Sequence, residues 1–278
     1  MYLHLGVNPS MPYAKIDDSL TLYYQIKGEG LPIVFIHPFV MAHNVFMHQE
    51  PLADEYQTIF FDMAGHGNST TGDVPVTIEL LAEHLKKLLD RIGIDKVVLC
   101  GYSHGGLVAQ EFAFNYPERT IAIIMSGGYS ELNNFSPKFF IKTVMYLSKL
   151  RMVPVAAKLQ AKLNKYYPED EGKIYGLARK SDPQRSYEFC RTGLDYVSTH
   201  SLHRLKMPIL LVYGTLEKPM HHYRIPFQKA APQTQVVFIE GGDHQVPPRS
   251  FRKFNAAVNG FLQPIAAKYN ADDSERLR

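Results

Sequence analysis

Six short runs of apolar residues recur along the chain, and within each run the apolar positions are consecutive rather than alternating. Continuous apolar runs are typical of strands that are buried on both faces of a parallel sheet. The pattern therefore predicts six buried strands, at residues 32–37, 57–62, 96–101, 120–125, 208–214 and 235–240.

The region before the first of these runs has a different pattern. Two short apolar stretches flank the polar sequence Asp17-Asp18-Ser19 within "YAKIDDSLTLYYQIKGEG". Two strand-like stretches separated by a few turn-forming residues are typical of a β-hairpin. We predict an antiparallel hairpin here, at one edge of the sheet.

Helical periodicity separates the later runs. Within "TIELLAEHLKKLLDRIG" the leucines and isoleucine follow a stripe along one helix face, at Leu81, Leu85, Leu88 and Ile92. Gly93 follows at the position where a helix C-terminus favours glycine, and similar periodicity occurs at residues 104–116 and 249–264. Strands that alternate with helices indicate βαβ units and an α/β fold.

One long interval contains helical patterns but no convincing strand. It extends from about residue 132 to residue 206 and separates two predicted sheet strands. We predict that residues 1–131 and 207–278 form the core and that residues 132–206 form a helical cap over one end of the sheet. Fourteen Lys or Arg and six Asp or Glu lie in this cap. They form either a solvated surface or a cleft that attracts an anionic substrate.

Composition narrows the class of protein. The 278 residues suit one large domain, and the net charge of +3 is too small to indicate a nucleic-acid partner. Two cysteines do not make a disulfide framework. We see no signal-peptide pattern and no apolar run of about 20 residues. We therefore expect a cytoplasmic protein with no membrane partner. The sequence leaves open whether Met11 is an alternative start, which would make residues 1–10 a loose extension.

The sequence Gly101-x-Ser103-x-Gly105 follows a predicted strand and opens a predicted helix. This is the context of a nucleophile elbow, in which a strained turn projects a serine hydroxyl above the carboxyl end of the sheet. Glycines on either side would remove Cβ atoms that collide with neighbouring elements. The alternative is a glycine-rich turn with an incidental serine.

A serine nucleophile needs a base, and the base needs a carboxylate that orients it. His244 lies in the loop after the last predicted strand, and the other candidate bases are His221 and His222. Glu217 follows a strand closely and is the preferred carboxylate. Glu131 is the next candidate. Asp243 adjoins His244, but its side chain should diverge from the ring nitrogen that needs orienting.

Attack on a carbonyl also requires backbone donors for the developing oxyanion. One donor should be the N–H of His104, the residue after the nucleophile. The second should come from the loop after the strand at 32–37. Pro38 has no N–H to donate, so Phe39 is the preferred donor in that loop.

These residues resemble the α/β-hydrolase superfamily, in its capped serine esterase and C–C hydrolase branch. The motifs that carry the resemblance occur in the expected order, as "FIHPFV", "FDMAGHGNS", "GYSHGG", "YGTLEKP" and "GGDH". The resemblance implies a mostly parallel eight-stranded sheet with helices on both faces. Three positions depart from the family pattern: Pro38 replaces a usual glycine, Glu217 replaces the commoner aspartate, and His104 is a polar residue that could touch substrate.

The sequence thus predicts a serine hydrolase that acts through an acyl-enzyme on a small carboxylic ester or related acyl substrate. This substrate could be neutral or anionic. No cofactor and no metal are expected, and the protein should be a monomer or homodimer. The same triad would serve hydrolysis of a C–C bond, a lactone or a thioester. A different class of function is a barely catalytic ligand receptor.

Overall fold

The structure is a computed structural model that describes residues 12–276, so the question of a loose extension at residues 1–10 falls outside the described residues. Eight strands form one sheet in the order β1-β2-β4-β3-β5-β6-β7-β8. Their bounds are β1 Tyr13–Lys15, β2 Thr21–Lys27, β3 Pro32–Ile36, β4 Gln57–Phe61, β5 Val97–Tyr102, β6 Thr120–Ser126, β7 Ile209–Gly214 and β8 Thr234–Ile239.

The sheet is mostly parallel, as the sequence predicts. Strands β1 and β2 form an antiparallel hairpin at one edge, and β2 also pairs antiparallel with β4. All pairs from β4 to β8 are parallel. The predicted fold class is confirmed, and each predicted strand lies within one or two residues of its observed bounds.

Helices occupy the intervals between strands. Their bounds are α1 Ile78–Arg91, α2 Gly105–Asn115, α3 Phe135–Lys149, α4 Val153–Asn164, α5 Pro168–Ala178, α6 Pro183–Asp195, α7 Arg224–Ala230, α8 Val246–Arg249 and α9 Phe251–Arg276. Four 3-10 segments add to these, at His43–Asp54, Pro117–Arg119, Thr199–Arg204 and Lys218–Tyr223. The helix predicted at 249–264 therefore starts later and continues further than its periodicity indicated.

Local signals set both ends of α1. The side chain of Thr77 accepts a hydrogen bond from the N–H of Leu80, which caps the helix N-terminus. At the other end Gly93 has a φ of +75°, a conformation that glycine adopts without steric cost. The leucine stripe between these ends faces the sheet and is buried.

Consecutive residues of the central strands pack into two different hydrophobic clusters. On β5, Leu99 packs with α1 and α2 on one face, whereas Val98 packs with α9 on the other. This arrangement is the physical reason for the continuous apolar runs, because neither face of the strand meets solvent. Cys100 and Cys190 are both buried, free thiols.

Between β6 and β7 the chain forms helices α3 to α6 in place of further sheet strands. Strand-type pairing in this interval is limited, among the described residues, to one isolated bridge between Glu131 and Val197. Helix α3 packs against α6, and α4 packs against α5. Over residues 12–276 we find no helix with the length and apolar character of a membrane span.

Truncating a core leucine of α1 should destabilise the protein far more than truncating an exposed leucine. Leu88 is fully buried, whereas Leu150 is 68% exposed. We expect Leu88→Ala to lower the free energy of unfolding by about 2–5 kcal/mol, since it loses buried area and leaves a cavity. Leu150→Ala is the matched control and should change the free energy by less than about 0.5 kcal/mol. Urea denaturation followed by circular dichroism measures both, and equal effects would contradict the assigned core.

Candidate active site

Ser103 occupies the turn between β5 and α2 in a strained conformation. Its φ is +51°, in the left-handed region that non-glycine residues seldom adopt. The Ser103 N–H donates to the carbonyl oxygen of Ser126 at the end of β6, at 2.8 Å, and this bond holds the turn against the neighbouring strand. Such strain persists only where the surrounding structure fixes it, and it is common at functional sites.

The two glycines of the motif allow this turn to pack closely. A Cβ at Gly105 would lie 2.0 Å from the carbonyl oxygen of Ile36, and one at Gly101 would lie 2.6 Å from the oxygen of Gly105. Both distances are well inside van der Waals contact. Any larger residue at these positions would push α2 or β3 away from the turn.

The structure brings together the three side chains proposed for the triad. Nε2 of His244 lies 3.0 Å from the hydroxyl oxygen of Ser103 and accepts its proton in a hydrogen bond. Nδ1 of His244 donates to Oε1 of Glu217 in a short hydrogen bond. Glu217 follows β7, and His244 lies in the loop between β8 and α8. Side chains from three distant parts of the sequence are thus linked by two consecutive hydrogen bonds.

A glycine that sequence reasoning missed makes room for this arrangement. Gly127 directly follows β6 with a φ of +61°. A Cβ on it would lie 2.6 Å from Cε1 of His244 and 3.3 Å from Oε1 of Glu217. The only signal in the sequence is the pair Gly127-Gly128 at the end of a predicted strand, which resembles an ordinary turn.

Two opposing effects act on the protonation of His244. Burial favours the neutral ring and lowers its pKa, but the Glu217 carboxylate and its hydrogen bond outweigh this effect. Asp243 adds a smaller contribution in the same direction, and the net pKa is raised above the ordinary value of 6.5. The side chain of Glu217 is only 4% exposed, so little water screens its interaction with the ring.

The alternative bases and carboxylates are engaged elsewhere. Nε2 of His221 bonds to the carbonyl oxygen of Gly214, and Nε2 of His222 bonds to the side chain of Asn133. Asp243 forms an ion pair with Arg249, so its side chain diverges from the neighbouring imidazole as predicted. The backbone of Glu131 forms a bridge with Val197, and Nδ1 of His244 bonds to Glu217 rather than to the carboxylate of Glu131.

The two residues proposed as oxyanion donors are in contact beside Ser103. The rings of Phe39 and His104 meet edge to face, with centroids 4.6 Å apart. The carbonyl oxygen of Phe39 accepts a hydrogen bond from Nε2 of Gln160 on α4, at 3.2 Å. The loop that would supply the second donor is therefore tied to the helical segment above the sheet.

His37 fixes the base of the same loop. Its Nδ1 donates to the carbonyl oxygen of Pro38 at 2.8 Å, while its Nε2 accepts the N–H of Met63 at 3.0 Å. Burial lowers the pKa of His37 to about 3, with a further contribution from His66. A neutral ring can donate at one nitrogen and accept at the other, which is what these two bonds require.

The side chain of His104 does not reach toward a substrate. Its Nδ1 accepts a hydrogen bond from the hydroxyl of Tyr129 at 2.6 Å, and burial lowers its pKa to about 3. A Cβ on Gly193 of α6 would lie 2.4 Å from Nε2 of the ring. The sequence left open a substrate contact for this residue, but its imidazole instead packs against α6.

A cavity of about 240 Å³ opens above Ser103. Its volume exceeds the roughly 150 Å³ that accommodates benzene in a protein core. Residues of the sheet end, of α3 and α4, and of the loops around Glu217 and His244 line it: Pro38, Phe39, Tyr102, Ser103, Tyr129, Leu132, Ser136, Pro137, Phe140, Ile141, Gln160, Leu163, Asn164, Glu217, Pro219, Met220, His244 and Gln245.

Polar residues on α4 form one side of this cavity and were not identified from the sequence. The hydroxyl of Tyr102 donates to Oδ1 of Asn164 at 3.0 Å, and Nδ2 of Asn164 donates to the carbonyl oxygen of Gln160 at 2.9 Å. Gln160 and Asn164 are buried at i, i+4 spacing on one helix face. That spacing of buried amides is the signal that could have indicated them.

The basic residues of the segment predicted to be a cap, 132–206, do not line this cavity: among the residues described around it there is neither lysine nor arginine. Lys158 and Lys165 both pair with Glu171, and Arg185 pairs with Glu188. The expectation that cap cations face the cleft is therefore not supported. Within residues 12–276, no cluster of three or more His, Cys, Asp or Glu has the arrangement of a metal site.

Comparison with known proteins places this architecture in a family. A sequence model of the alpha/beta hydrolase fold matches residues 32–247 of this chain. The match covers more than half of the chain, and the chain belongs to the alpha/beta hydrolase fold family. The resemblance inferred from the sequence motifs is confirmed at this level.

Individual relatives are distant. The 3-oxoadipate enol-lactonase 2 of Acinetobacter baylyi is 26% identical over 219 residues, or 73% of this chain and 80% of that protein. A protein of Azorhizobium caulinodans named provisionally as carbamate hydrolase RutD is 31% identical over 131 residues, so the match spans about half of either chain (47% and 49%). An esterase from Exiguobacterium antarcticum superposes with a TM-score of 0.80 at 17% identity, covering 90% of this chain and 98% of its own.

Removing the charge of Glu217 should lower the pKa of His244. In Glu217→Gln the burial of the ring remains while the main opposing charge is lost, so we expect the pKa to fall from above 6.5 to below it. Titration of the His244 resonances by ¹H–¹⁵N NMR measures this change. Asp243→Asn is the matched control and should lower the pKa by a smaller amount. A larger drop in the control would contradict the assignment of Glu217 as the dominant partner.

Proposed function

We propose that the protein is a serine hydrolase that cleaves small, uncharged carboxylic esters or lactones through an acyl-enzyme. The single observation that carries the proposal is the hydrogen-bonded chain from Ser103 through His244 to Glu217. A hydroxyl is a weak nucleophile by itself, and a base in this position takes its proton as it attacks. The raised pKa of His244 suits a group that must accept and then return a proton.

In the first half of the reaction the Ser103 oxygen attacks the substrate carbonyl carbon, and its proton passes to Nε2 of His244. The carbonyl oxygen becomes an oxyanion, for which the backbone N–H groups of Phe39 and His104 are the proposed donors. When the tetrahedral intermediate collapses, the bond to the alcohol oxygen breaks and His244 protonates that oxygen. The acyl group remains on Ser103 as an ester.

In the second half a water molecule takes the place of the alcohol. His244 accepts a proton from the water as it attacks the acyl carbon, and a second tetrahedral intermediate forms. Collapse of this intermediate returns the proton to Ser103 and releases the carboxylic acid. Throughout, the Glu217 carboxylate holds the ring tautomer and stabilises the imidazolium, as expected of a triad acid.

Residues 132–206 act in this proposal as the cap that shapes the substrate cavity. Helix α3 contributes Phe140 and Ile141 to the lining, and α4 contributes Leu163. The apolar walls suit a short acyl chain or a compact ring. Similarity to an enol-lactonase and to an esterase supports lactones and esters alike.

A fluorophosphonate should label Ser103 covalently, because an activated serine attacks its phosphorus. Mass mapping of peptides should find the label on Ser103 and not on the half-buried Ser201. Ser103→Ala should not be labelled, and its kcat should be about 10⁶-fold below that of the wild type, the loss typical for a triad nucleophile. Ser201→Ala is the control and should keep both. An intact label with negligible turnover of every ester and lactone would favour a ligand receptor over an enzyme.

Charge on the acyl chain should weaken catalysis. The described cavity lining holds the Glu217 carboxylate and neither lysine nor arginine, and an unpaired carboxylate is costly to move from water into apolar surroundings. We expect the p-nitrophenyl ester of butyric acid to be hydrolysed with a kcat/KM at least tenfold above that of the mono-p-nitrophenyl ester of succinic acid. Initial rates at several salt concentrations measure this. Equal kcat/KM values, or a preference for the anion that weakens in salt, would contradict the proposed substrate class.

A further inference from the structure

The first half of the cap has an unusual charge pattern. From residue 132 to residue 168 there is no Asp or Glu, whereas seven Lys or Arg occur there. This stretch contains α3, the turn after it and α4. The protein as a whole has nearly balanced charge, with 30 basic and 27 acidic side chains. The excess of positive charge is therefore local to this surface.

The outer face of α3 also exposes large apolar side chains. Phe135 is 79% exposed and Phe139 is 62% exposed, and their rings stack with centroids 5.9 Å apart. Tyr146 and Leu150 continue the exposed stripe along the same helix. Single exposed apolar residues are normal, but a contiguous group of this size marks an interaction surface.

Helix α3 has an inner apolar face as well. Ile141 and Val144 are buried against the rest of the cap, and Phe140 lines the substrate cavity. The outer stripe is therefore not the face that folds the protein. Beyond the end of α3, the exposed side chains of Met152 and Val155 extend the apolar surface toward α4.

Basic side chains flank this stripe without acidic partners. Lys142 and Arg151 are exposed, and neither forms an ion pair with any acidic residue in the described part of the chain. Lys149 lies over the ring of Tyr187, 5.8 Å from its centroid, and likewise has no carboxylate partner there. These cations are free to meet negative charge outside the molecule.

We propose that the outer face of α3, together with the turn to α4 through Val155, docks on an anionic lipid surface. An exposed helix face with aromatic and aliphatic residues, flanked by Lys and Arg, is the pattern of a helix that lies in a membrane interface. Negative headgroups would complement the unpaired cations.

The location of this face bears on the proposed function. The same helix lines the cavity through Pro137 and Phe140, so docking would place the cavity beside the lipid surface. An amphiphilic ester could then enter from the interface rather than from water. This step rests on the proposed hydrolase function, whereas docking itself does not. The sequence predicted no membrane partner because it has no apolar run long enough to span a bilayer, and docking of α3 on a lipid surface requires no such run.

Co-sedimentation of the full chain with vesicles tests the docking. We expect binding to vesicles of phosphatidylcholine with about 30% phosphatidylglycerol, weaker binding to phosphatidylcholine alone, and loss of binding at high salt. The double variant Phe135→Ser, Phe139→Ser should abolish binding. Lys142→Glu should weaken it by at least about fivefold, since each basic residue near an anionic surface contributes roughly that factor.

Control variants change equivalent exposed residues elsewhere. Val74 is 61% exposed and Lys96 is exposed, and neither lies on the cap. Val74→Ser and Lys96→Glu should bind vesicles as the wild type does. Equal losses in these controls, or equal binding to both kinds of vesicle, would overturn the proposal. So would sedimentation velocity showing that the phenylalanines hold together two copies of the chain.

Vesicle binding and catalysis can fail independently. Ser103→Ala should sediment with anionic vesicles as the wild type does, because docking does not involve the nucleophile. Vesicle binding by a wild-type protein that hydrolyses neither esters nor lactones would count against the proposed function alone. Loss of vesicle binding in the cap variants with hydrolysis of a water-soluble ester retained would support the separation of the two surfaces.

Discussion

The close approach of the Ser103 turn to its neighbours is the constraint on which the site depends. The turn has a left-handed backbone, and a hydrogen bond from its amide to Ser126 ties it to β6. It can pack there only because Gly105 lacks a side chain against the backbone of β3. That packing fixes where the hydroxyl stands, so the loops bearing Glu217 and His244 meet it only at one place, above the carboxyl end of the sheet. The proposed chemistry follows from this position.

The features that the sequence predicted correctly are those that depend on short-range patterns of residues. Continuous apolar runs identified the strands because both faces of each central strand are buried, as Leu99 and Val98 show. The motif around Ser103 and the order of Glu217 and His244 along the chain were sufficient to propose the triad. Each of these residues lies in the turn or loop after the carboxyl end of a parallel strand, so we expected its side chain at the same edge of the sheet.

The remaining features depend on contacts between distant segments. Nothing near Gly127 in the sequence indicates that its missing Cβ accommodates the ring of His244. The direction of the cations between residues 132 and 206 was likewise undetermined, because helical spacing shows which residues share a face but not what that face meets. Lys158 and Lys165 turned out to pair with Glu171 instead of facing the cavity. Pairing of this kind is decided by tertiary packing.

The hydrogen bond from Gln160 to the carbonyl oxygen of Phe39 has a consequence for exchanging parts of this fold. Gln160 bonds to the residue whose backbone N–H is the proposed oxyanion donor, whereas α4, which carries Gln160, contributes residues to the cavity lining. Grafting a foreign helical segment onto this core would therefore disturb turnover and selectivity together. A graft that keeps glutamine at position 160 would be expected to uncouple them.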